Sequence, residues 1–403
     1  MSSVHSTQPP HPVAVIDIGS NSGRVVVLER DRAGHLRLLT GSRASLRLVH
    51  DVDEQQSLSE EAMARTMEAI RDFHAIAAGV GAKRIVAVAT AAMRDARNGG
   101  LLMDRIRREL RIRVQIINGL EEARYGFAGA VRGLPVSSGL LFDLGGGSMQ
   151  VSHFKLRRLV RATSLPLGAL RLSEKFLASD PPRSKEMRRL REHVWKHLKR
   201  ANVGHLGRRE YLLGTGGTLR NLAKIDRDAH PYPISRLHGY TLTLERLHGV
   251  VRRLATTRQK NRDDISGLSA ERADSIVGGA VAIETLMEFV GAREILVSGQ
   301  GVREGIALRL LKMGVAATKD VKEASLASLV SRFDGWKPEA AARRRVMAGA
   351  LMRALEPRAD AKIVEALDHS ARVLDIGRSF DFVDRHEHVA DILLATELNG
   401  FTH

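Results

Sequence analysis

Cysteine is absent from the 403 residues. That excludes disulfides, zinc–thiolate centres and thiol nucleophiles, and it suits a reducing compartment, so a cytoplasmic protein is expected. Aromatic residues are scarce at 4%. A single-stranded nucleic-acid binder needs stacking platforms that this chain cannot supply. No helix-turn-helix pattern is evident either, and a specific nucleic-acid partner is not expected. No apolar run reaches the ~18 residues a membrane span requires, so no membrane partner is expected. Residues 1–12 are polar, hold two prolines and lack the apolar core of a signal peptide; they read as a disordered leader. With so few aromatics, the core must rest on Ala, Val, Ile and Leu.

Positive charge is present in excess. Lys and Arg number 63 against 46 Asp and Glu, a formal net charge of +17. Such a field concentrates polyanions, although a basic surface also serves plain solubility. The charge is clustered. Residues 105–113 hold five arginines and residues 183–200 hold eight Lys or Arg. In the second cluster Leu190, Val194 and Leu198 recur every four residues, which predicts an amphipathic helix with a basic outer face.

The length predicts two or three domains. Residues 13–17 (VAVID) read as a buried strand, 18–23 as a turn and 24–28 as a returning strand. Residues 139–143, 144–148 and 149–154 repeat that plan, which indicates an internal duplication. Further strands are predicted at 84–90, 112–117, 211–213 and 295–298, with helices near 59–78, 98–110, 120–131 and 276–290. Alternating strands and helices predict an α/β layered fold. Only helical patterns follow residue 318. The divisions expected are 13–135 and 136–314 for two α/β domains, joined by a linker at 134–138, and 315–403 for a C-terminal helical domain.

The chemistry concentrates in the two repeated turns, Asp17-Ile18-Gly19-Ser20-Asn21-Ser22 and Asp143-Leu144-Gly145-Gly146-Gly147-Ser148. A turn that cradles phosphate needs backbone N–H groups converging on one point, a geometry glycine tolerates. Ser and Asn add donors, and an Asp ending the strand can hold Mg²⁺ directly or through water. One such turn is more often a tight hairpin; two matched turns with Asp at the same position point to phosphate. A third turn, Gly214-Thr215-Gly216-Gly217-Thr218, follows a short strand and precedes a helix; alone it reads as turn geometry, and beside the other two it is expected to bind phosphate. Glu121 and Glu122 open the helix at 120–131. They either favour the helix N-terminus by charge or provide a general base for water. Arg94, after the strand 84–90, either lies on the surface or neutralises a transferring phosphoryl group.

Eight stretches resemble the exopolyphosphatase/guanosine pentaphosphate phosphohydrolase (Ppx/GppA) family of the actin-like ATPase superfamily. They are AVIDIGSNSGR (14–24), ATAAMRDARN (89–98), GLEEARY (119–125), FDLGGGS (142–148), SLPLGALRL (164–172), GTGGTLRN (214–221), RADSIVGGAVA (272–282) and VSGQGVREG (297–305). The resemblance implies two actin-like (ribonuclease H-like) domains with a ligand cleft between them. It implies that polyphosphate or guanosine penta- or tetraphosphate binds there with Mg²⁺ or Mn²⁺. A homodimer is expected, with a structural or dimerising role for 318–403. Carried over by position, Asp17, Gly19, Ser20, Asn21 and Ser22, then Gly145, Gly146, Gly147 and Ser148, would bind phosphate. Arg94 would grip the terminal phosphate, Glu122 would be the base, and Asp143 with Asp17 would hold the metal.

Two departures stand out. Gln150 occupies the position where the family usually carries an acidic metal or water contact; an amide can accept a hydrogen bond but holds no charge and cannot act as a base. Weakened metal binding and weak turnover are the expectation, which opens the alternative of a (p)ppGpp- or polyphosphate-binding regulatory protein. Residues 372–403 resemble the opening of an HD-like helical domain. The usual His-Asp pair falls at Leu374-Asp375, so a truncated domain without a second catalytic centre is expected.

Overall fold

The computed structural model describes residues 11–48 and 56–403. Most of the expected leader, residues 1–10, lies outside them. Among the described residues, no helix is long and apolar enough to cross a membrane.

The chain builds two sheets. The first has the strand order β3-β2-β1-β4-β5. Its strands are β1 (Val13–Ile18), β2 (Ser22–Arg30), β3 (Leu36–Ser45), β4 (Arg84–Ala89) and β5 (Val114–Ile116). The second has the order β10-β11-β9-β6-β7-β8. It contains β6 (Gly139–Leu144), β7 (Met149–Lys155), β8 (Arg158–Leu165), β9 (Tyr211–Thr215), β10 (Thr241–Thr243) and β11 (Glu294–Val297). Setting aside the edge strand β10, both sheets share one plan. Three antiparallel strands are followed by two parallel ones, with the first strand at the centre. The duplication read from the repeated turns therefore extends to whole sheets. The two predicted α/β halves are present, and strands β3, β8 and β10 add to those predicted.

Helices cover the sheets according to their apolar faces. Helix α1 (Glu60–Gly79) lays Met63, Met67, Ile70 and Phe73 on the first sheet, its start capped by the Ser59 hydroxyl. Two short helices, α2 (Ala91–Asp95) and α3 (Gly99–Leu110), follow β4. Helix α4 (Gly119–Gly133) leads into the second half. There, α5 (Ala169–Phe176), α6 (Ser184–Arg200), α7 (Gly217–Asp228), α8 (Leu244–Thr256) and α9 (Ile276–Val290) follow. Helix α6 buries Leu190, Val194 and Leu198, as its spacing predicted. Helix α9 is almost wholly buried between its neighbours.

Two helices cross between the halves. Phe127, Ala130 and Val131 of α4 pack against Leu141, Phe154 and Leu213 of the second sheet. Helix α10 (Val302–Leu310), which follows the second sheet, sends Val302, Ile306 and Leu308 onto Val13, Val15 and Val26 of the first. The helices cross at backbone contact. A Cβ on Gly129 would lie 2.1 Å from the Gly301 carbonyl oxygen, and one on Gly305 would lie 1.9 Å from that of Tyr125. Residues 134–138 do link α4 to β6, but not loosely. Leu134 and Val136 are buried, and the Arg157 guanidinium donates to the carbonyls of Val131, Leu134, Val136 and Ala316.

The C-terminal part is helical, as expected: α11 (Thr318–Val330), α12 (Pro338–Leu355), α13 (Ala361–Val373), a single-turn helix at Leu374–Ser379 and α14 (Arg385–Ala395). Asp375, the residue aligned with the HD pair, is buried and ion-paired with Arg344. Among the described residues, no group of three or more His, Asp or Glu side chains could hold a metal ion there.

Candidate active site

The two repeated turns sit at the same end of their sheets and touch. Each is closed by the same hydrogen bond: Gly19 N–H to the Ser22 carbonyl at 3.1 Å, and Gly145 N–H to the Ser148 carbonyl at 2.9 Å. A Cβ on Gly146 would meet Ser20 and Asn21 at 3.6 Å, which is ordinary contact. The second turn is braced from behind. Ala169 and Leu170, opening α5, donate to the carbonyls of Gly145 and Gly146. Gly168 makes this approach possible, because a Cβ there would lie 2.1 Å from the Gly146 oxygen. The stretch 164–172 thus supports the second turn rather than lining the cleft itself.

Between the turns opens a cleft of about 780 Å³, mouth included. Asp17, Gly19, Ser20, Asn21 and Ser22 line one side, Asp143 and Gly145 to Ser148 the other, with Thr215, Gly216, Gly217 and Glu122 completing the wall. The third turn contributes only its centre. Gly214 packs against Phe142 and Leu219, and Thr218 lies fully buried under Gly279, so both belong to the core behind the cleft. Gly216 takes a positive φ of 107° and opens α7, whose N-terminus therefore faces the cleft.

The local structure separates the two adjacent glutamates. Glu121 closes a capping box with Asn118: its carboxylate accepts the Asn118 N–H at 2.9 Å, and the Asn118 side chain accepts the Glu121 N–H at 3.0 Å. Glu122, one residue on, enters the cleft. Burial, then the charges of Asp143 and Asp17, push its carboxyl up to about 8, against the pull of Arg94. Arg94 stands beside this group rather than in the lining, and its guanidinium donates to the Ile117 carbonyl at 3.0 Å. Gln150 is buried behind Glu122. Its amide nitrogen lies 3.1 Å from the Glu122 carboxylate, 2.9 Å from Ser148 Oγ and 3.2 Å from Ser164 Oγ.

Asp17 and Asp143 are the penultimate residues of the central strands of the two sheets. Burial raises both, Asp143 to about 6 despite Arg220, and each is raised further by nearby carboxylates. Two buried carboxylates that resist ionisation together fit a divalent cation. Among the described residues no third His, Asp or Glu completes a protein cage. That matches Mg²⁺, which binds through one or two carboxylates and takes its remaining oxygens from water and phosphate.

Four arginines in the lining were not singled out from sequence: Arg24, Arg220, Arg272 and Arg303. Burial, then Arg220, Arg303, Arg43 and Arg272, lower Arg24 to about 8; burial likewise lowers Arg220 and Arg272 to about 10. Asp17, Asp143 and Glu304 offset part of this crowding, and a bound polyanion would offset more of it. The sequence did carry a signal, since each arginine falls inside a quoted stretch. Strand register adds another relationship. Arg24 pairs across from Asp17 as Gln150 pairs across from Asp143. The ion pairs Arg43–Glu271 and Arg47–Asp274 join the two halves next to Arg272 of the cleft lining.

A family model described as the Ppx/GppA phosphatase family matches residues 25–313. The chain belongs to the Ppx/GppA phosphatase family. The matched stretch carries Arg94, Glu122, Gln150, the second and third turns and three of the four cleft arginines, while the first turn lies just ahead of it. Exopolyphosphatase 1 of Mycobacterium leprae is 31% identical over 303 residues, 74% of this chain and 89% of that relative. Exopolyphosphatase 1 of Mycobacterium tuberculosis is 30% identical over 327 residues, 80% of this chain and 95% of that relative. Among solved structures, the Aquifex aeolicus Ppx/GppA family member is 27% identical with a TM-score of 0.66, over 75% of this chain and 98% of that one. An exopolyphosphatase from Cytophaga hutchinsonii is 26% identical with a TM-score of 0.70, over 76% of this chain and 100% of that one. The Ppx/GppA match accounts for the two-domain actin-like architecture; residues beyond 313 lie outside the family model.

Proposed function

We propose that this phosphatase is an exopolyphosphatase that removes the terminal phosphate of inorganic polyphosphate. The observation that carries this reading is a buried carboxyl, Glu122, at a cleft lined by phosphate-type turns and four arginines. Glu122 takes a proton from water as the water oxygen bonds to the end phosphorus. The bond from that phosphorus to the bridging oxygen breaks, and the shortened chain leaves with the electron pair. Charge gathers on the phosphoryl oxygens during transfer, where the turn amides and guanidiniums are aimed. Arg94 steadies the base from beside it. Asp17 and Asp143 are the residues that would hold Mg²⁺ or Mn²⁺, which when bound neutralises phosphate charge. The named activity of the mycobacterial relatives supports the substrate class.

The lining also bears on pppGpp. Among the described residues none that lines the cleft is aromatic, and Leu144 and Val302 are its large apolar members. A guanine base finds no stacking surface there, so pppGpp would place only its triphosphate in the cleft. Polyphosphate is therefore the leading substrate and pppGpp the second.

Gln150 favours one other reading, in which the cleft binds polyphosphate or (p)ppGpp with little turnover. Purified protein given polyphosphate and pppGpp with Mg²⁺ or Mn²⁺, beside Glu122→Gln, separates the two. Phosphate release by wild type alone supports the phosphatase. Tight calorimetric binding without release supports the binding protein. Neither binding nor release, across metals and pH, removes both.

A further inference from the structure

The segment 397–403 lies outside the residues matched by the family model, yet it is bonded to α4, which carries Glu122, and to the turn that leads into α10, which carries Arg303. The Gln300 amide donates to Glu397 Oε1 and to Asn399 Oδ1, each at 2.8 Å, using both of its N–H bonds. Gln300 directly precedes Gly301, Val302 and Arg303 of the cleft wall. The Gly400 N–H donates to the carbonyl of Gly133 at 2.7 Å, and Gly133 is the last residue of α4, the helix that begins beside Glu122.

His238 joins the two attachments. Its Nδ1 accepts the Gly299 N–H at 3.2 Å, which leaves Nε2 to donate to the same Gly133 carbonyl at 3.0 Å. His403 then donates from Nε2 to the His238 carbonyl at 2.9 Å and accepts from the Tyr232 hydroxyl at its Nδ1, also at 2.9 Å. The fit leaves no slack. A Cβ on Gly133 would come within 2.6 Å of the His238 ring and 2.7 Å of Gln300 Oε1. Gly239 takes a positive φ of 93° where residues 401–403 press against it. Asn399 and Gln300 are buried, at 3% and 9% exposure.

We propose that residues 397–403 are a positioning strap: through Gln300 and the Gly133 carbonyl they fix the spacing between the helix bearing Glu122 and the helix bearing Arg303. No residue of 397–403 lines the cleft. Removing an acceptor leaves Gln300 with an unpaired buried N–H, so the 299–301 turn gains a reason to move. Displacing Arg303 relative to the turns weakens the grip on a phosphate chain.

The proposal rests on the cleft being an anion site but not on turnover, so tripolyphosphate binding by calorimetry is the primary readout. Asn399→Ala and Glu397→Ala in the full chain are expected to weaken tripolyphosphate 3- to 10-fold. Glu397→Gln, which keeps a carbonyl acceptor, is expected to retain wild-type affinity. Gln300→Ala alone and Gln300→Ala with Asn399→Ala are expected to match, because the two residues act as one unit. Circular dichroism confirms folding at the assay temperature. Wild-type affinity in folded Asn399→Ala and Glu397→Ala would overturn the strap. So would a Glu397→Gln loss as large as that of Glu397→Ala. If wild type binds tripolyphosphate but releases no phosphate, the exopolyphosphatase reading fails while the strap remains tested. Where phosphate release is measurable, a loss confined to thermal stability, with kcat and KM unmoved, also counts against it.

Discussion

The side-chain nitrogen of Gln150 lies 3.1 Å from the carboxylate of Glu122, and both residues stand beside Asp143. An amide at this place holds the base by donating to it. A carboxylate at the same place would repel it unless a cation lay between. Gln150→Ala is therefore expected to lower kcat about 10-fold, the order of one lost hydrogen bond to a charged group. KM should stay near its wild-type value, since Gln150 lies behind the cleft lining. Gln150→Glu is expected to need more divalent cation for the same rate. Titrating Mg²⁺ and Mn²⁺ against phosphate release checks both. An unchanged metal dependence in Gln150→Glu would remove the assigned role.

Glu122 gives the clearest pH dependence. Its carboxyl ionises at an ordinary value of 4.5 when unfolded and at about 8 in the folded, ligand-free cleft. Between those values the folded chain holds the extra proton, so this group makes stability fall as pH rises. The base works only when ionised, so kcat/KM is expected to climb with pH toward about 8. Glu122→Gln removes the titration. It should lose roughly 100- to 10,000-fold in rate, the usual worth of a positioned base. It should also melt higher than wild type at pH 9, where the ionised group costs the folded state on the order of a few kcal/mol. Thermal melts at pH 6 and pH 9 decide the stability half. Equal melting shifts for the two proteins would contradict it.

The crowded arginines set function against stability. Burial and mutual repulsion lower Arg24 to about 8, and no side-chain hydrogen bond or ion pair engages Arg24, Arg272 or Arg303 among the described residues. Arg24→Met is expected to raise the melting temperature of the ligand-free protein while weakening tripolyphosphate at least 10-fold. The wild type should gain more from the ligand than the variant does, because only ligand relieves the repulsion. Calorimetry at two salt concentrations, with melts at each, tests this. A variant that melts lower without ligand would show that Arg24 is held by contacts stronger than the repulsion it suffers.

Sequence exposed the centre of this molecule better than its edges. Buried strands such as 13–17 and 139–143 are short apolar runs ending in Asp, and their repetition disclosed the duplication. Strands β3 and β8 were missed because their burial is mixed and they carry arginines and polar residues on the open side. Their pairing depends on neighbours in space, not on local pattern. In the site, the turns were legible because one pattern of Asp, Gly and Ser occurs twice, where either copy alone reads as a tight hairpin. The arginines were not, since a chain with this much positive charge offers many equivalent ones and only convergence in space distinguishes Arg24, Arg220, Arg272 and Arg303. Spacing alone left Glu121 and Glu122 equivalent; the family resemblance pointed to Glu122, and the capping box accounts for Glu121. Arg94 shows the converse case, a motif position that stands beside the lining and not in it.

The crossing of α4 and α10 permits a last test, on backbone contact alone. Gly305 and Gly129 sit where a Cβ would strike carbonyl oxygens at 1.9 and 2.1 Å. Neither neighbour is a flexible side chain that could swing aside, so alanine must push the two helices apart. Gly305→Ala is expected to destabilise the protein by roughly 2 kcal/mol or more, in the range of overpacking in a tight core. Because α4 carries Glu122 and α10 carries Arg303, the same change should cut the rate at temperatures where the variant is still folded. Gly249, inside α8, is the control: nothing lies within 4 Å of its would-be Cβ. Gly249→Ala replaces a poor helix former by the best one and should stabilise by about 1 kcal/mol with the rate untouched. Chemical denaturation of the two variants beside wild type gives the comparison. If Gly305→Ala matched Gly249→Ala in stability and rate, the two helices would have room to separate, and the spacing between base and arginine would not depend on their contact.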